Sequence, residues 1–472
     1  AATVPAAVDT WIFALSSFGS MSLSQVLTDV IEISERGFPM YHGLQWSIRK
    51  SAGRFLEEWP TTAEVFLPGG RVPGIGERLV QADLALTLKR MVEAEHRNLK
   101  QGRREALQAA RDEFYRGETA VKMLYFVEKN KFLDASGRPN RGLLTREDLM
   151  HYSARVEEPV TVNYRGYDVY KCGPWTQGPV FLEQLNLLEG YDLAALGHNS
   201  PAYIHLVTEA AKLAFADRER YYGDPDFVSV PLNRLLSKEY AVERRSLIDP
   251  DHASHELHPG YSASYQSLEK NKHSGSSPGD TTHLDAADRW GNLLSATPSG
   301  GWISSSPLIE GLGFALGTRL QMFYLDPSHA NALFPGKRPR TTLTPSLALK
   351  NKVPCLAFGT PGGDQQDQWS LQFFLNHIDF KMNLQEAVDA PNFHTAHFPS
   401  SFFPHAADPG SLILEGRIPE PTRSAVGKFG HNVTITGDWS NGRVLAIELD
   451  TTNSMLYGAA SARMETGYAM GW

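Results

Sequence analysis

The stretch Asp280-Thr281-Thr282-His283 contains the residue types that most clearly permit chemistry in this chain. The residues that follow alternate as a strand over 282–288, turn tightly, and return as a second strand over 293–297. A threonine hydroxyl is a weak nucleophile unless a base lies beside it. If the chain were cut before Thr281, the freed α-amine of that residue could act as this base. The alternative interpretation is a loop leading into a hairpin, because short motifs often match by chance.

A second candidate for chemistry is Gly359-Thr360-Pro361-Gly362-Gly363, which lies between an apolar strand pattern and a helix pattern. Glycines allow backbone N–H groups to converge on a small concavity, and the following helix contributes its positive end. Acyl transfer needs such donors where negative charge develops, and removing one costs about 2.7–4 kcal/mol of transition-state stabilisation. Taken alone, the motif is more typical of a Pro-Gly turn that joins a strand to a helix.

The sequence Gly-Asp-Thr-Thr-His at 279–283, followed by Asp288 and Gly291-Asn292, resembles the processing site of the gamma-glutamyltranspeptidase family. Members of this family are N-terminal-nucleophile hydrolases. The resemblance covers essentially all 472 residues. Further matches occur in the same order along the chain, at Gly173-Pro174, Gly178, 181–188, 211–217, Arg338-Pro339, Thr344-Pro345-Ser346, Thr360-Pro361-Gly362-Gly363 and 383–391.

The resemblance implies an α+β fold, a four-layer αββα sandwich of stacked antiparallel sheets with extra helices from a large subunit. It implies one precursor, cut between Asp280 and Thr281 into a helix-rich large subunit (1–280) and a small subunit (281–472) that begins at the nucleophile. These two subunits are then partners, and a dimer of such heterodimers is an expected assembly. We also expect further chain before residue 1, including an arginine that holds a substrate carboxylate in the family.

The same resemblance assigns roles around the predicted nucleophile, Thr281. Ser299 matches a family hydroxyl that hydrogen-bonds the nucleophile. Gly362 and Gly363 match the oxyanion hole.

The stretch 338–345 is similar to a family segment in which two adjacent hydroxyl residues bind the α-carboxylate of the substrate. Those positions are Thr341 and Thr342 in this chain. Hydroxyl donors suit a carboxylate. The alternative is a polar entry into a strand.

Three departures from the family pattern bear on the substrate. Aligning 313–316 with the corresponding family run places Met322 where transpeptidases carry the aspartate that pairs with the glutamyl α-ammonium. Arg319 replaces an amide, and Gly301 falls near a substrate-contacting asparagine. Burying an ammonium group without its carboxylate partner costs several kcal/mol, roughly. Arg319 therefore favours an anionic substrate without an amino group, although it also fits a structural role.

These residues together predict an amidohydrolase for a small carboxylate amide such as oxamate. Trp175, Trp302 and Phe323 are expected either to narrow the pocket or to belong to the core. The alternatives are a gamma-glutamyltransferase or glutathione hydrolase, then a cephalosporin-type acylase. A non-catalytic alternative is an uncleaved carboxylate-binding protein.

The composition fits a large globular enzyme. A length of 472 residues suggests about three domains. Hydrophobic content of 42% and charged content of 21% permit a sizeable core, which argues against pervasive disorder. A net charge of −8, without a basic stripe, argues against nucleic-acid binding.

We predict neither a cofactor nor a metal. Cys172 and Cys355 lack metal-ligand spacing and are expected to be thiols rather than a disulfide. His283 and Asp285 could suggest a metal site, but strand alternation explains the pair equally well. No apolar run reaches membrane-spanning length. We expect no membrane partner and a cytoplasmic protein, unless an export signal upstream has been removed.

The predicted elements divide near Thr281. Before it the pattern is mainly helical, with strands over 160–172 around a turn, and the polar run 217–220 is expected to end a long helix in a solvated surface. After it, strand runs alternate with helical runs, which predicts sheets covered by helices. The predicted helices are 5–18, 22–36, 79–99, 103–115, the segment from Pro201, 364–380 and 384–390. The predicted later strands are 282–288, 293–298, 312–316, 354–359, 433–437, 443–449 and 456–461.

Overall fold

The computed structural model of the chain describes residues 2–134, 137–260, 281–301, 303–463 and 466–471. These residues form two compact units, fewer than the three that chain length suggests. Asp280 of the predicted cleavage site and Trp302 of the predicted pocket lie outside the described residues. The first unit comprises Ala1–Val156 and Gly300–Leu320, and the second comprises Glu157–Ser299 and Gln321–Trp472.

The first unit is mainly helical, as the sequence predicts. Its two short strand pairs, β1 with β2 and β3 with β4, are antiparallel. Among the described residues, no helix of either unit has the length and apolar character needed to cross a membrane. The helices of the first unit are α1 (Ala7–Phe18), α2 (Leu23–Arg36), α3 (His42–Glu58), α4 (Pro60–Phe66), α5 (Ala82–Asn98), α6 (Arg103–Tyr115), α7 (Glu118–Lys129) and α8 (Arg146–His151). Its strands are β1 (Phe38–Pro39), β2 (Arg78–Leu79), β3 (Phe132–Leu133) and β4 (Pro139–Asn140).

Helix α2 illustrates how local sequence sets these boundaries. The Ser22 hydroxyl accepts a hydrogen bond from the Gln25 N–H at 3.1 Å, and the Gln25 side chain accepts one from the Ser22 N–H at 2.9 Å. This reciprocal pair satisfies two donors at the start of the helix. The buried Glu95 carboxylate of α5 accepts two more, from the N–H groups of Leu23 and Ser24 at 2.7 and 2.9 Å. A side chain 72 residues from Leu23 in sequence thus completes the cap.

The apolar run 312–316, which is predicted as a strand, is a turn followed by irregular backbone in the first unit, with one isolated antiparallel bridge from Ala315 to Leu308. The Leu312 N–H donates to the carbonyl of Ile309 at 3.1 Å, and Gly313 has φ +73°. Leu312 is fully buried in the helical core. A Cβ at Gly313 would lie 2.3 Å from the Leu84 backbone nitrogen, so this close approach requires glycine. The prediction was wrong because the apolar run reflects burial against helices rather than sheet pairing.

The second unit is built around a six-stranded antiparallel sheet with the order β15-β14-β10-β9-β6-β5. A smaller sheet has the order β11-β12-β13, in which β12 and β13 are parallel. The strands of the second unit are β5 (Val160–Tyr164), β6 (Tyr167–Lys171), β7 (Leu284–Ala287), β8 (Leu293–Ala296), β9 (Ser346–Lys350), β10 (Val353–Gly359), β11 (Phe393–His394), β12 (Ser411–Glu415), β13 (Asn432–Thr436), β14 (Leu445–Asp450) and β15 (Met455–Ala460). Its helices are α9 (Gly178–Leu188), α10 (Leu193–Leu196), α11 (Pro201–Tyr221), α12 (Leu232–Leu235), α13 (Lys238–Arg245), α14 (Gln366–Ile378), α15 (Leu384–Asp389) and α16 (Glu420–Gly427).

The two faces of β10 contact different layers, since successive strand residues point to opposite faces. Phe358 packs on the helical side, with ring centroids 5.8 Å from Phe181 of α9 and 5.6 Å from Phe374 of α14. Gly359 faces the hairpin β7–β8, and Ser295 of β8 donates to the Phe358 carbonyl at 3.5 Å. The antiparallel hairpin therefore stacks on the antiparallel sheet, with helices behind it. The expected stacked antiparallel sheets are confirmed.

Strands from both sides of the predicted cleavage point share this sheet. Strand β6, which precedes Thr281, pairs with β9, which follows it, in the register Tyr170 opposite Leu347. The predicted division at 280/281 therefore does not coincide with the boundary between compact units. Cleavage between residues 280 and 281 remains a prediction, and it concerns a peptide bond rather than a boundary between compact units.

Helix α11 corrects the expectation that 217–220 forms a solvated surface. Every residue from 203 to 219 is buried, and only Arg220 of the polar run is exposed. Arg218 has no exposed surface, and its charge is compensated by carboxylates within the protein. The prediction was wrong because charged residues at the end of a helix were taken as solvated, whereas here they pair with segments distant in sequence.

Candidate active site

Thr281 lies just before β7, and the hairpin register brings it to Ser299. Since Leu284 pairs with Ala296, extending the pairing outward places Thr281 opposite Ser299. The two hydroxyl oxygens are 2.9 Å apart, and Thr281 is buried. The structure thus contains the hydrogen bond that the resemblance implied between these two side chains.

His283 connects the hairpin to the end of β10. Its Nδ1 lies 2.8 Å from the Thr297 hydroxyl, and its Nε2 lies 3.0 Å from Asp285 Oδ2. A Cβ at Gly359 would be only 2.3 Å from His283 Cε1, so the ring packs directly against that glycine. Both ring nitrogens have protein partners, so strand alternation explains the His283–Asp285 pair without a metal. The ring fixes the start of the hairpin over β10.

The loop that follows β10 has a backbone that glycine suits. Gly362 has φ +143° and Gly363 has φ +59°. A Cβ at Gly362 would lie 2.3 Å from Trp369 Cζ3, so a side chain there meets both strain and a bulky ring. The Gly363 carbonyl accepts a hydrogen bond from Gln366 Nε2 at 3.1 Å. Among the described residues, none accepts a hydrogen bond from the N–H of Gly362 or Gly363. These two donors remain available to a ligand.

The segment Thr341-Thr342 is tied to the same loop. The Thr341 N–H donates to the Trp175 carbonyl at 2.8 Å, and the Gln177 N–H donates to the Thr341 carbonyl at 2.9 Å. Gln366 Nε2, which also bonds Gly363, lies 3.3 Å from the Thr342 hydroxyl. The Thr341 hydroxyl is buried and, among the described residues, has no hydrogen-bond partner. A buried hydroxyl without a partner is costly unless a ligand supplies one.

Two buried ion pairs support the loop and the start of α14. Asp364 Oδ1 lies 2.5 Å from an Arg218 nitrogen, and Asp367 Oδ1 lies 3.1 Å from Lys171 Nζ. Thr344 also donates to Asp367, at 2.7 Å. Burial raises the pKa of Asp367 and lowers that of Lys171, in opposition to their mutual attraction. Because each carboxylate already has a cation, neither offers a free negative charge.

Sequence reasoning missed these supporting residues. Arg218 follows the long apolar stretch of α11, and Lys171 interrupts the alternation of β6. A charge inside an otherwise buried pattern is the signal that could have identified both. Gln366 carries no such signal, since a glutamine in the first turn of a helix is commonplace.

The residues predicted to set specificity are distributed over both units. In the second unit Met322 is fully buried, and its carbonyl accepts a hydrogen bond from Asn331 at 2.8 Å. Phe323 is also buried. The guanidinium carbon of Arg338 lies 4.9 Å from the centroid of the Trp175 ring. Gly301, with φ +77°, and Arg319, which is buried, belong to the first unit. Their roles in substrate binding stay predictions.

One group among the described residues has the chemistry of a metal site. His205, Glu209 and His431 are buried and close together. His205 Nδ1 lies 2.9 Å from His431 Nε2, and its Nε2 lies 2.8 Å from the Asp249 carbonyl. Lys212 Nζ contacts Glu209 at 2.6 Å. Because the adjacent ammonium already supplies the positive charge, these side chains fit a hydrogen-bonded cluster better than a cation site.

Cys172 and Cys355 are free thiols, as expected. Burial raises the pKa of the Cys355 thiol to about 11 and also raises that of Cys172. Neither is therefore a competing nucleophile near neutral pH.

The stacked antiparallel layers, with a buried hydroxyl pair at the start of the hairpin and unused N–H donors after the neighbouring strand, define an amide hydrolase of the N-terminal-nucleophile class. The sequence profile of the family described as Gamma-glutamyltranspeptidase matches residues 1–471. The chain belongs to the gamma-glutamyltranspeptidase family.

Individual relatives agree with this membership. The chain is 35% identical over 468 residues to the Acylase ACY 1 proenzyme of Pseudomonas sp. (strain SE83), covering 98% of this chain and 74% of that protein. It is 31% identical over 491 residues to the Glutathione hydrolase proenzyme of Pseudomonas sp. (strain A14), covering 99% and 77%. The crystal structure of a cephalosporin acylase from Bacillus halodurans matches with a TM-score of 0.82 and 30% identity, covering 100% of this chain and 78% of that one.

Proposed function

We propose that this protein is an autoprocessed N-terminal-threonine amidohydrolase that cleaves the amide of a small carboxylate-bearing substrate, such as oxamate, through an acyl-enzyme. The Thr281–Ser299 hydroxyl pair supports the nucleophile, since Ser299 orients Oγ1 and can relay its proton. The names of the two Pseudomonas relatives, both proenzymes, support processing of a precursor.

Processing begins with attack of Thr281 Oγ1 on the carbonyl carbon of Asp280. The peptide C–N bond breaks as the ester forms, and the Thr281 nitrogen takes up the proton. Water then hydrolyses the ester, which yields the Asp280 carboxylate, the Thr281 hydroxyl and a free α-amine. That amine is the base the hydroxyl lacks in the precursor.

Turnover uses the same hydroxyl with its new base. The α-amine accepts the Oγ1 proton as the oxygen attacks the amide carbon, and the proton passes to the departing nitrogen, which leaves as ammonia. The N–H groups of Gly362 and Gly363 donate to the oxyanion. Water attacks the acyl ester, again with the amine as base, and releases the acid.

The unpartnered hydroxyl of Thr341 is the observation that carries the substrate class. A carboxylate would accept a hydrogen bond from it and from the neighbouring Thr342. An α-ammonium, in contrast, needs a free carboxylate, and Asp364 and Asp367 are both engaged by buried cations. Met322, aligned with the family's aspartate, offers no charge. These features together favour a carboxylate amide without an amino group.

The relatives' names support a second candidate, a glutathione hydrolase or acylase. Both candidates use the same nucleophile and loop, and they differ in the group that the rest of the pocket must hold. An uncleaved carboxylate-binding protein is the non-catalytic alternative.

An amide panel distinguishes the candidates. Purified protein is incubated with oxamate, glutathione, a gamma-glutamyl anilide and a glutaryl amide, and the released ammonia, amine or dipeptide is quantified. We expect oxamate or another compact carboxylate amide to give the highest kcat/KM. Preferred gamma-glutamyl or glutaryl turnover would establish the second candidate, and a protein inert to the whole panel that runs as one band on a denaturing gel would establish the third.

A further inference from the structure

The charged residues at the end of α11 bind side chains next to both segments of the proposed active site, the oxyanion loop and the Thr341-Thr342 segment. Arg218 and Glu219 are adjacent in sequence and buried, although charged residues are rarely buried. Their partners lie more than 100 residues away: Asp364 for Arg218, and Arg340 for Glu219. Asp364 directly follows Gly363, so the two partners belong to the two segments assigned to substrate binding.

Arg218 holds the loop side. One guanidinium nitrogen lies 2.5 Å from Asp364 Oδ1 and 3.1 Å from the Ser401 hydroxyl. Ser401 itself donates to Asp364 twice, from its hydroxyl at 2.6 Å and its N–H at 2.9 Å. A second Arg218 nitrogen donates to the Pro399 carbonyl at 2.7 Å. This density of bonds fixes the residue that immediately follows the proposed oxyanion hole.

Glu219 holds the carboxylate-binding side. Its Oε1 accepts a hydrogen bond from Arg340 at 2.7 Å, and its Oε2 accepts one from Tyr324 at 2.9 Å. Arg340 also donates to the Arg218 carbonyl at 2.9 Å. Since Arg340 directly precedes Thr341, these contacts fix the start of the Thr341-Thr342 segment against the last turn of α11.

The four charges balance. Arg218 and Arg340 contribute two positive charges, and Glu219 and Asp364 contribute two negative ones. Burial opposes ionisation of Glu219, but Arg340 and Arg218 outweigh it and lower its pKa to about 2. Glu219 is therefore ionised at every pH at which the enzyme is expected to work.

We propose that Arg218 and Glu219 are positioning residues that set the separation between the oxyanion loop and the Thr341-Thr342 segment, and so the length of substrate accepted between its acyl carbon and its carboxylate. This inference rests on the proposed function, which assigns those two segments. A misplacement of 1 Å at a reacting centre can cost about 100-fold in rate. A shared rigid anchor makes such a separation a fixed property of the site.

The test removes the carboxylate-side anchor without leaving a buried charge alone. The double variant Glu219→Gln/Arg340→Met deletes one charge of each sign and leaves the Arg218–Asp364 pair intact. Arg220→Met, an exposed neighbour on the same helix, is the matched control. Each protein is assayed with oxamate, malonamate and succinamate, which differ by one methylene. We expect the double variant to fold, to raise KM for the preferred length at least 10-fold with a smaller change in kcat, and to lose most discrimination among the three lengths.

Crystal structures of the unmodified protein and the double variant supply a readout that needs no substrate. We expect the distance from the Gly363 nitrogen to Thr341 Oγ1 to change by about 0.5 Å or more, the tolerance of a productive site. An unchanged distance with unchanged length preference would overturn the proposal. If the unmodified protein cleaves none of the three amides but the distance changes, the positioning role stands and the proposed function fails. If it cleaves them and neither readout changes, only the positioning role fails.

Discussion

A few side chains of no obvious reactivity make the region around Thr281 suited to chemistry. Ser299 reaches the hydroxyl because it is opposite Thr281 in the hairpin, and His283 fits only because residue 359 is a glycine. The resulting hydroxyl is buried and lies 2.9 Å from that of Ser299. Under the proposed mechanism it gains its base only when the chain is cut before Thr281, so its reactivity would depend on one covalent event rather than on a pre-existing triad.

Thr281→Ala is expected to remain a single chain and to be inactive, because it removes the hydroxyl that both processing and turnover require. Cleavage is read on a denaturing gel, and its position is established by N-terminal sequencing of the smaller fragment. Thr282→Ala is the adjacent control and should still be cut. Active Thr281→Ala protein would rule out this nucleophile.

Gly363→Val is expected to lower kcat by about 100-fold or more, because a branched side chain at φ +59° displaces an oxyanion donor. The strained backbone should also cost roughly 1–2 kcal/mol of stability. Gly430→Val is the control, since Gly430 has φ +92° with no atom near its Cβ position. That variant should lose similar stability and keep its turnover. Equal kcat in the two variants would show that the loop is a turn and does not form the oxyanion hole.

The nucleophile and the oxyanion loop stay predictions, which the sequence supplies through contiguous motifs and the family resemblance that those motifs carry. The sequence does not predict Gln366 or Arg218, whose importance comes from contacts with segments far away in the chain. Nor does it predict that the Thr341 hydroxyl lacks a partner while Thr342 has one. Such facts depend on packing, which no local pattern encodes.

Helix α11 carries five buried charged side chains, and a second cluster lies on its Asp217 side. Asp217 and Glu183 of α9 are both buried and share a hydrogen bond. Tyr240 donates to Asp217 at 2.7 Å, and Tyr222 donates to Glu183. Arg244, 3.7 Å from Asp217, is the cation of the group. One arginine balances one carboxylate, so the other retains its proton.

Glu183→Gln should remove one contribution that lowers stability as pH rises. Burial and the neighbouring Asp217 raise the pKa of Glu183 well above its usual range, so the folded protein holds a proton that the unfolded chain releases. The stability this proton supplies is complete below the usual carboxyl pKa and declines as pH rises toward the raised value. Glutamine keeps a donor to Asp217 and does not titrate.

Denaturant unfolding between pH 4 and pH 9 measures this effect. Relative to Glu183→Gln, the unmodified protein should lose stability with rising pH at about 1.4 kcal/mol per pH unit across the affected range. Glu239→Gln, which replaces an exposed carboxylate on α13, should instead follow the pH dependence of the unmodified protein. Parallel slopes for all three proteins would show that Glu183 is ionised in the fold.

Elements with strong periodicity were predicted well, including α6, α11, β10, β14 and β15. Strand β9 was missed because Thr344-Pro345 before it reads as a turn, although its register with β6 and β10 places it inside the sheet. The prediction of a strand over 312–316 was wrong for the opposite reason, since the apolar character of that run was taken as evidence of strand pairing. Short apolar runs do not distinguish a strand from a buried turn.

At the scale of the whole molecule, the choice of substrate is the property that depends on all the proposed site residues together. Oxamate should exceed glutathione in kcat/KM, and oxamide, which lacks the carboxylate, should lose most of the activity. A site built around buried donors can reject a ligand without the acceptor by up to about 10⁴-fold. Ammonia release under identical conditions measures all three.

Arg319→Met refines this prediction. If the arginine binds the carboxylate, the variant should raise KM for oxamate and leave oxamide unaffected. An equal loss for both amides would instead assign Arg319 a structural role. Gamma-glutamyl turnover that exceeds oxamate turnover in the unmodified protein would contradict the substrate assignment altogether.

The pairing of β6 with β9 has a consequence for how the protein refolds before and after cleavage. The sheet joins strands from both sides of residue 281. If the chain is cut there as proposed, the precursor would fold as one chain, whereas the cut product would have to reassemble from two. Refolding of the mature enzyme should therefore be second order and slow on dilution, whereas uncleaved Thr281→Ala protein should refold at a rate independent of concentration. Identical concentration dependence for both would contradict this. Activation would then be a one-way step: the chain loses its ability to refold alone at the moment it gains its base.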